Sequence, residues 1–141
     1  MAYCTKADIL EQIEEDVLIQ LTDDDDAGVV DDDKVTRAIA NGDAEINSYC
    51  GTKYTVPFTT VPPIIRMVSV DIAIYNLYSR RRGAPDSIKE RYKDRIAFLK
   101  SVSKGEATLG EDDPDGTPSG ANAPEISSSD RIFSREKLKG W

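Results

Sequence analysis

The fold is decided by residues 62–78, which read PPIIRMVSVDIAIYNLY. The two prolines suit the first turn of a helix, where the missing N–H would have no partner in any case. From Ile64 to Tyr78 apolar residues fall on nearly every side of the helix, which is typical of a helix surrounded by other elements. Arg66 and Asp71 interrupt the stretch, and it is too short to cross a membrane. It therefore predicts the central helix of an all-α bundle.

Helical signals before this stretch supply further members of the bundle. Thr5 followed by Asp8 resembles a capping box, which predicts a helix start. A second apolar patch at residues 17–21 indicates a separate helical turn. A longer helix is predicted from residue 32 to residue 50, where Gly51 follows as a stop signal, and Gly42 on its apolar face would let another helix approach closely.

The chain after residue 50 predicts one extended piece and one more helix. Residues 53–61 alternate apolar and polar side chains, but Pro57 excludes a regular central strand. The central helix should end at Arg80-Arg81-Arg82-Gly83, and Pro85 opens a last helix that reaches about Lys104. The sequence thus predicts a bundle of about four helices with an acidic loop, a short extended segment and a long C-terminal arm.

The 141 residues suit a single globular domain, and the charges are strongly segregated along the chain. Residues 1–50 hold 14 acidic and 3 basic side chains, whereas residues 51–104 hold 4 acidic and 11 basic ones. Residues 105–141 are acidic again, and the net charge of the chain is −8. A chain with one acidic part and one basic part can complement a second copy of itself.

The composition argues against enzyme chemistry. The chain has no histidine, which removes the usual general base and the commonest metal ligand. Its two cysteines, Cys4 and Cys50, form no CxxC pair and are expected to be reduced thiols. No nucleotide-binding, hydrolase or metalloprotease motif is present. We expect no catalytic residues, no cofactor and no metal. The N-terminal residues lack a signal-peptide pattern, so synthesis in the cytoplasm is expected.

The acidic loop at residues 22–31 invites a comparison with calcium-binding loops. If Gly28 is the loop glycine of an EF-hand, Asp23 and Asp25 fall at ligand positions. Ala27 and Lys34 then occupy positions that require oxygen ligands, and the second of these should be a bidentate glutamate. A solvated acidic turn fits the sequence better, with weak cation binding as the alternative.

The cluster Arg80-Arg81-Arg82 has three readings. It can neutralise the end of its helix or form an intersubunit salt bridge, it can contact a partner protein, or it can hold phosphate groups of nucleic acid. The acidic chain, with a pI near 4.6, disfavours the nucleic-acid reading.

The composition changes after Gly110, which divides the chain into a helical domain (residues 1–110) and a C-terminal segment (residues 111–141). Residues 111–130 are rich in Asp, Pro, Gly, Ser and Asn, which predicts a flexible linker. Residues 131–141 restore apolar and basic character and resemble a docking peptide, although a tail that folds back on its own domain is equally compatible. We name residues 131–141 the arm; its predicted docking side chains are Arg131, Ile132, Phe133, Arg135, Leu138 and Trp141.

Several segments in order resemble a family of small bacteriophage Mu-type proteins, once known only as a domain of unknown function. They are residues 1–5, 18–23, 43–46, 54–57, 61–63, 71–73 with Tyr78, 80–83 and 131–135. No single segment is a strong motif, and the specificity comes from their order and spacing. The family in turn resembles phage head–tail connector or adaptor proteins, which are helical bundles with an extended C-terminal arm.

The resemblance implies a virion protein that acts by assembly. Adaptors of this kind form rings, commonly dodecamers, beneath the portal protein, contact a tail or neck protein, and let genomic DNA pass without specific binding; no membrane is involved. As a hypothesis for the ring contact, the acidic residues Asp23, Asp24, Asp25 and Asp26 of one subunit would face Arg80, Arg81 and Arg82 of the next. The alternatives are a DNA-handling or regulatory phage protein and a neck or tail-terminator subunit.

Overall fold

The computed structural model describes residues 2–81 and 83–110, and within these ranges the chain is helical and forms no strand. The five helices are α1 (Lys6–Leu10), α2 (Glu15–Thr22), α3 (Asp32–Cys50), α4 (Pro63–Ser79) and α5 (Asp86–Ser103). The predicted all-α class is confirmed. The bundle has one helix more than the predicted four, because the short N-terminal part divides into two helices.

The predicted helix starts are confirmed where local chemistry specifies them. Thr5 caps α1, accepting from the Asp8 N–H, while the Asp8 carboxylate accepts from the Thr5 N–H. Pro62 and Pro63 begin α4, as expected for residues that need no intrahelical N–H partner. Gly51 follows α3 with a φ of −62° that any residue can adopt, but a Cβ atom there would lie only 2.9 Å from the Asn47 carbonyl oxygen, so the position favours glycine.

α4 is the central helix and lies against α3 along much of its length. Gly42 on α3 makes this approach possible, because a Cβ atom at that position would lie only 3.1 Å from Cγ2 of Ile72 on α4. Ile72 is fully buried. The predicted role of Gly42 is therefore confirmed: the helix loses about 1 kcal/mol of propensity relative to alanine, and the close packing of two long helices offsets that cost.

The core has two parts, one on each side of α4. The first joins the end of α3, the loop after it and α5; its largest buried members include Ile46, Phe58, Ile65, Ile72 and Leu99. The second joins α1, α2 and the start of α3 to the other side of α4; its members include Ile9, Leu18, Ile39, Ile74 and Leu77. Each such side chain contributes roughly 1.5–3 kcal/mol on burial, so the second part holds the short α1 and α2 in place.

The segment between α3 and α4 is an ordered loop. Tyr54 and Phe58 are buried in the first core, and the Phe58 N–H donates to the hydroxyl of Tyr3 at 3.1 Å. The rings of Tyr3 and Phe58 lie 5.6 Å apart in a tilted arrangement. The Val56–Pro57 peptide bond is cis. The predicted extended piece thus packs against the N-terminal segment instead of forming a strand.

Two buried carboxylates join the helices. Asp43 on α3 accepts from the Tyr3 N–H at 2.9 Å and from the Ser69 hydroxyl at 2.8 Å, which links the N-terminus, α3 and α4. Asp71 on α4 accepts from Nε of Arg95 on α5 at 2.6 Å. No helix in the described ranges is long and apolar enough to cross a membrane.

Candidate interaction surfaces

The predicted interface residues Asp24, Arg80 and Arg81 meet within one chain. Nη2 of Arg80 lies 2.6 Å from Oδ2 of Asp24, and Nη1 donates to the other carboxylate oxygen at 3.3 Å. Nη1 of Arg81 lies 3.4 Å from Oδ1 of Asp24. Lys34 adds a third cation, 3.5 Å from the same carboxylate. The pKa of Asp24 is lowered, first by the hydrogen bond from Arg80.

The two arginines also contact the last carbonyl groups of α2. Nη1 of Arg80 donates to the carbonyl oxygen of Leu21 at 2.8 Å, and Nη1 of Arg81 donates to those of Gln20 and Asp23 at 3.2 and 2.9 Å. The last carbonyls of a helix lack intrahelical partners and carry partial negative charge. The end of α4 therefore supplies the C-terminal cap of α2.

The remaining acids of the loop are divided between a structural role and exposure. The Asp23 carboxylate accepts from the N–H groups of Ala27 and Gly28 at 2.8 and 2.7 Å, which shapes the turn and lowers the pKa of Asp23. Asp25 and Asp26 are exposed, and Asp26 adopts a left-handed conformation with φ of 61°. This is an internally bonded turn, and among the described residues no three acidic, cysteine or histidine side chains are gathered to hold a metal ion.

These contacts change what can be expected of the predicted intersubunit pairing. Asp24, Arg80 and Arg81 already form ion pairs with one another in a single chain, so they are poorer candidates for pairing with a neighbour than Asp25 and Asp26, which are exposed and form no ion pair within the described residues. Arg82 lies outside the described residues, as do the arm residues Arg131, Ile132, Phe133, Arg135, Leu138 and Trp141. For those residues the predicted roles stay predictions.

A basic stripe on α5 was not singled out from the sequence. Its members recur at helical spacing and all are exposed: Lys89, Lys93, Lys100 and Lys104. Within the described ranges none of these lysines forms an ion pair, although acidic residues lie between them along α5. The spacing of four, seven and four residues was the signal that could have identified the stripe.

A depression of about 400 Å³ between α1, α4 and α5 carries charges of both signs. Its charged lining consists of Asp8, Glu11, Arg66, Asp71, Arg91 and Arg95. Met67 also lines it, and 52% of that residue is accessible. Arg95 is tied to Asp71, whereas Nη1 of Arg91 lies 3.8 Å from that carboxylate. Arg91 and Met67 are thus available for contact with another molecule.

A stacked tyrosine pair joins α4 to α5. The rings of Tyr75 and Tyr92 lie 3.9 Å apart and nearly parallel, and the Tyr92 hydroxyl donates to the Glu45 carboxylate on α3 at 2.8 Å. Burial, followed by this hydrogen bond to an anion, raises the pKa of Tyr92. A phenol held in this way is a structural link between three helices.

Comparison with known proteins agrees with the resemblance seen in the sequence. The family model described as bacteriophage Mu, Gp36 matches residues 3–128. The chain is 30% identical over 139 residues to the Mu-like prophage FluMu protein gp36 of Haemophilus influenzae, covering 99% of this chain and 97% of that protein. It is 27% identical over 115 residues to gene product J of Escherichia phage Mu, covering 81% of this chain and 79% of that protein. The chain therefore belongs to the bacteriophage Mu Gp36 family.

Proposed function

We infer that the chain is a structural subunit of a tailed phage virion, a head–tail adaptor that assembles as a ring beneath the portal and joins head to tail. Membership of a Mu-type phage family and the small helical bundle support a role in the particle. The observation that carries the ring is the presence of two oppositely charged surfaces whose charges have no partners within the described part of the chain.

The basic surface is the stripe on α5 formed by Lys89, Lys93, Lys100 and Lys104. α5 packs on α3 and α4 through Leu99 and Val102, which are fully buried. The lysine side therefore faces away from the bundle and is accessible to a neighbour.

The acidic surface lies at the start of α2 and consists of Glu14, Glu15 and Asp16. All three are exposed, and within the described ranges none forms an ion pair. Acids in the first turn of a helix are favoured by its dipole, so the patch costs the isolated chain little. α2 packs on α3 and α4 through Leu18 and Leu21, in the second part of the core, whereas Leu99 and Val102 of α5 lie in the first.

Two different complementary surfaces on one chain give a heterologous contact, which closes into a ring if the rotation between copies permits. In the proposed ring, Glu14 to Asp16 of one subunit face the lysine stripe of the next. Such contacts between exposed charges add orientation and specificity more than affinity. Binding to the portal would favour the closed ring over other assemblies. The arm would contact the portal, tail or neck protein. Genomic DNA would pass through the channel of the ring without being bound specifically.

The test uses tail-less heads that contain the portal but lack this protein. The full chain should co-sediment with them in a fixed ratio to the portal, at the ratio of a closed ring. Lys93→Glu with Lys100→Glu should weaken this binding, and so should Glu14→Lys with Glu15→Lys. A chain carrying all four substitutions restores opposite charges between neighbours and should recover binding.

A matched control is Arg37→Glu, which reverses an exposed base on α3, outside the stripe, and should bind as the native chain does. This subunit contact would be ruled out if both double variants fold but do not bind the heads and the four-fold variant fails to recover binding. If the native chain does not bind the heads and is retained on duplex DNA, the DNA-handling alternative would be favoured, in which the lysine stripe contacts phosphates.

A further inference from the structure

A groove runs along the exposed face of α3, bounded on its other side by the N-terminal segment. Its volume is about 840 Å³, within the range of about 300–1,000 Å³ of sites that take compact ligands. Cys4, Val35 and Ile39 form its buried apolar floor, and Pro57 lines it from the loop after α3. It is the larger of the two depressions described so far.

The walls of the groove indicate what it can hold. Ala40 and Ala44 are exposed and lie four residues apart on α3, so a second chain can approach the helix closely there. Of its charged residues, Asp32 is paired with Lys6 at 2.8 Å, and the buried Asp43 carboxylate accepts from Tyr3 and Ser69. With these charges already paired or hydrogen-bonded, the groove suits a segment that carries large apolar side chains.

The arm has this composition. Residues 131–141 read RIFSREKLKGW, with four large apolar side chains, four bases and one acid. The depression between α1, α4 and α5 is a poorer match for an apolar segment, because it is smaller, about 400 Å³, and six charged side chains line it: Asp8, Glu11, Arg66, Asp71, Arg91 and Arg95. The larger volume and the apolar floor thus favour the α3 groove over the other depression.

The described chain ends close to the groove. The Leu109 N–H donates to the Tyr54 hydroxyl at 3.2 Å, and the ring of Tyr54 lies 6.2 Å from that of Phe58. Phe58 is adjacent to Pro57, which lines the groove, and it donates through its N–H to Tyr3 at the groove's N-terminal edge. The twenty residues 111–130 between this point and the arm are predicted from composition to be a flexible tether, whose ends would be roughly 25 Å apart on average. The part of α3 that lines the groove, residues 32–47, is about 22 Å long.

We propose that residues 131–141 occupy the α3 groove of their own chain. A short flexible tether holds its segment at an effective concentration of about millimolar, well above that of a second copy in dilute solution. The groove therefore withholds the arm until a partner competes for it. The proposal concerns the isolated chain, so its test does not depend on whether the chain is a head–tail adaptor.

The only tryptophan of the sequence, Trp141, reports on the proposal in the full-length protein. Its emission should be blue-shifted, and its quenching by acrylamide severalfold slower, relative to the urea-unfolded chain. Neither value should change on dilution. Ala40→Arg places a cation in the groove at an exposed position and should return both values toward those of the unfolded chain. The matched control Ala97→Arg, at an exposed position on the outer face of α5, should leave them unchanged.

A second measurement locates the arm directly. A nitroxide at Ser134→Cys can be attached selectively, because Cys4 and Cys50 are buried. It should broaden the amide signals of Thr36, Ala40 and Ala44, and mixing labelled chains with isotope-enriched unlabelled ones should remove the effect. Broadening that persists after mixing would show that a second copy supplies the arm. Broadening of other amide signals, or a solvent-exposed Trp141, would show that the arm does not bind in the groove. Each of these results overturns the proposal.

Discussion

Asp24 and Arg80, 56 residues apart, form an ion pair with 2.6 Å between Oδ2 and Nη2, and this pair fastens the acidic loop to the end of the central helix. Because Arg80 also donates to the Leu21 carbonyl, the same side chain joins α2, the loop and α4. The cluster thus pairs, within one chain, Asp24, Arg80 and Arg81, which the sequence suggested for subunit contacts; the intersubunit role of Asp25, Asp26 and Arg82 stays a prediction.

The first prediction compares two neighbouring acids. Asp24→Asn should lower the midpoint of urea unfolding, because the amide cannot replace the carboxylate between two arginines and Lys34. Asp25→Asn should leave the midpoint unchanged, since Asp25 is also exposed but forms no ion pair within the described residues. Equal midpoints for the two variants would show that the cluster contributes nothing to stability.

The same pair has a defined pH dependence. The pKa of Asp24 is lowered in the folded chain, so its contribution to stability is fully present above the ordinary pKa of aspartate, about 3.9, and is lost as the pH falls through the folded value. The difference in unfolding free energy between the native chain and Asp24→Asn should therefore shrink on acidification.

Asp43 should show the opposite dependence. Burial raises its pKa, although the hydrogen bonds from Tyr3 and Ser69 act against this. A carboxyl whose folded pKa is raised takes up its proton more readily in the folded chain, so stability from this group grows as the pH falls toward about 4 and is lost as the pH rises. Measured from pH 7 down to pH 4, the native chain should gain stability relative to Asp43→Asn. A difference that stays constant over this window, or declines on acidification, would show that the Asp43 pKa is not raised.

The helix boundaries could be predicted because their signals are local. The capping pair Thr5 and Asp8 and the prolines at 62 and 63 act within one turn, and one apolar segment was enough to identify α4 as central. The partners of Asp24 and Asp43 could not be predicted in this way. A charge pattern is the same whether acids and bases pair within a chain or between chains. Asp43 accepts a hydrogen bond from the backbone N–H of Tyr3, and because every residue except proline has such a group, the amino-acid sequence does not identify it as the partner.

The close contact of α3 and α4 gives a prediction in which two effects compete. Gly42→Ala should gain about 1 kcal/mol of helix propensity, but the new methyl would lie 3.1 Å from Cγ2 of Ile72, which is buried and branched at Cβ. Overpacking of this kind costs about 1–3 kcal/mol, so the variant should be neutral or less stable by up to about 2 kcal/mol. In an Ile72→Leu background, which lacks that γ-methyl, the same substitution should stabilise. A stabilising effect in both backgrounds would mean that Gly42 is not needed for packing.

The two cysteines should be unreactive until the chain unfolds. Burial raises the pKa of both Cys4 and Cys50 to about 11, so almost no thiolate exists at neutral pH. A thiol reagent at pH 7.5 should label neither in the native chain and both in urea, while a control Ala97→Cys should be labelled at once. Rapid labelling of a native cysteine would show that the N-terminal segment or the end of α3 opens readily.

The last prediction concerns Asp71, which has only 7% of its surface exposed to solvent and lies near two arginines of α5. Nε of Arg95 lies 2.6 Å from Oδ2, whereas Nη1 of the more exposed Arg91 lies 3.8 Å from Oδ1. Arg95→Ala leaves a buried carboxylate without its closest donor and should cost about 1–3 kcal/mol. Arg91→Ala removes an exposed and distant charge and should cost about 0–1 kcal/mol. The two variants share residue type, helix and substitution, so urea unfolding compares the contacts alone. If Arg91→Ala proved the more costly, Arg95 would not be the residue that holds α5 to the central helix.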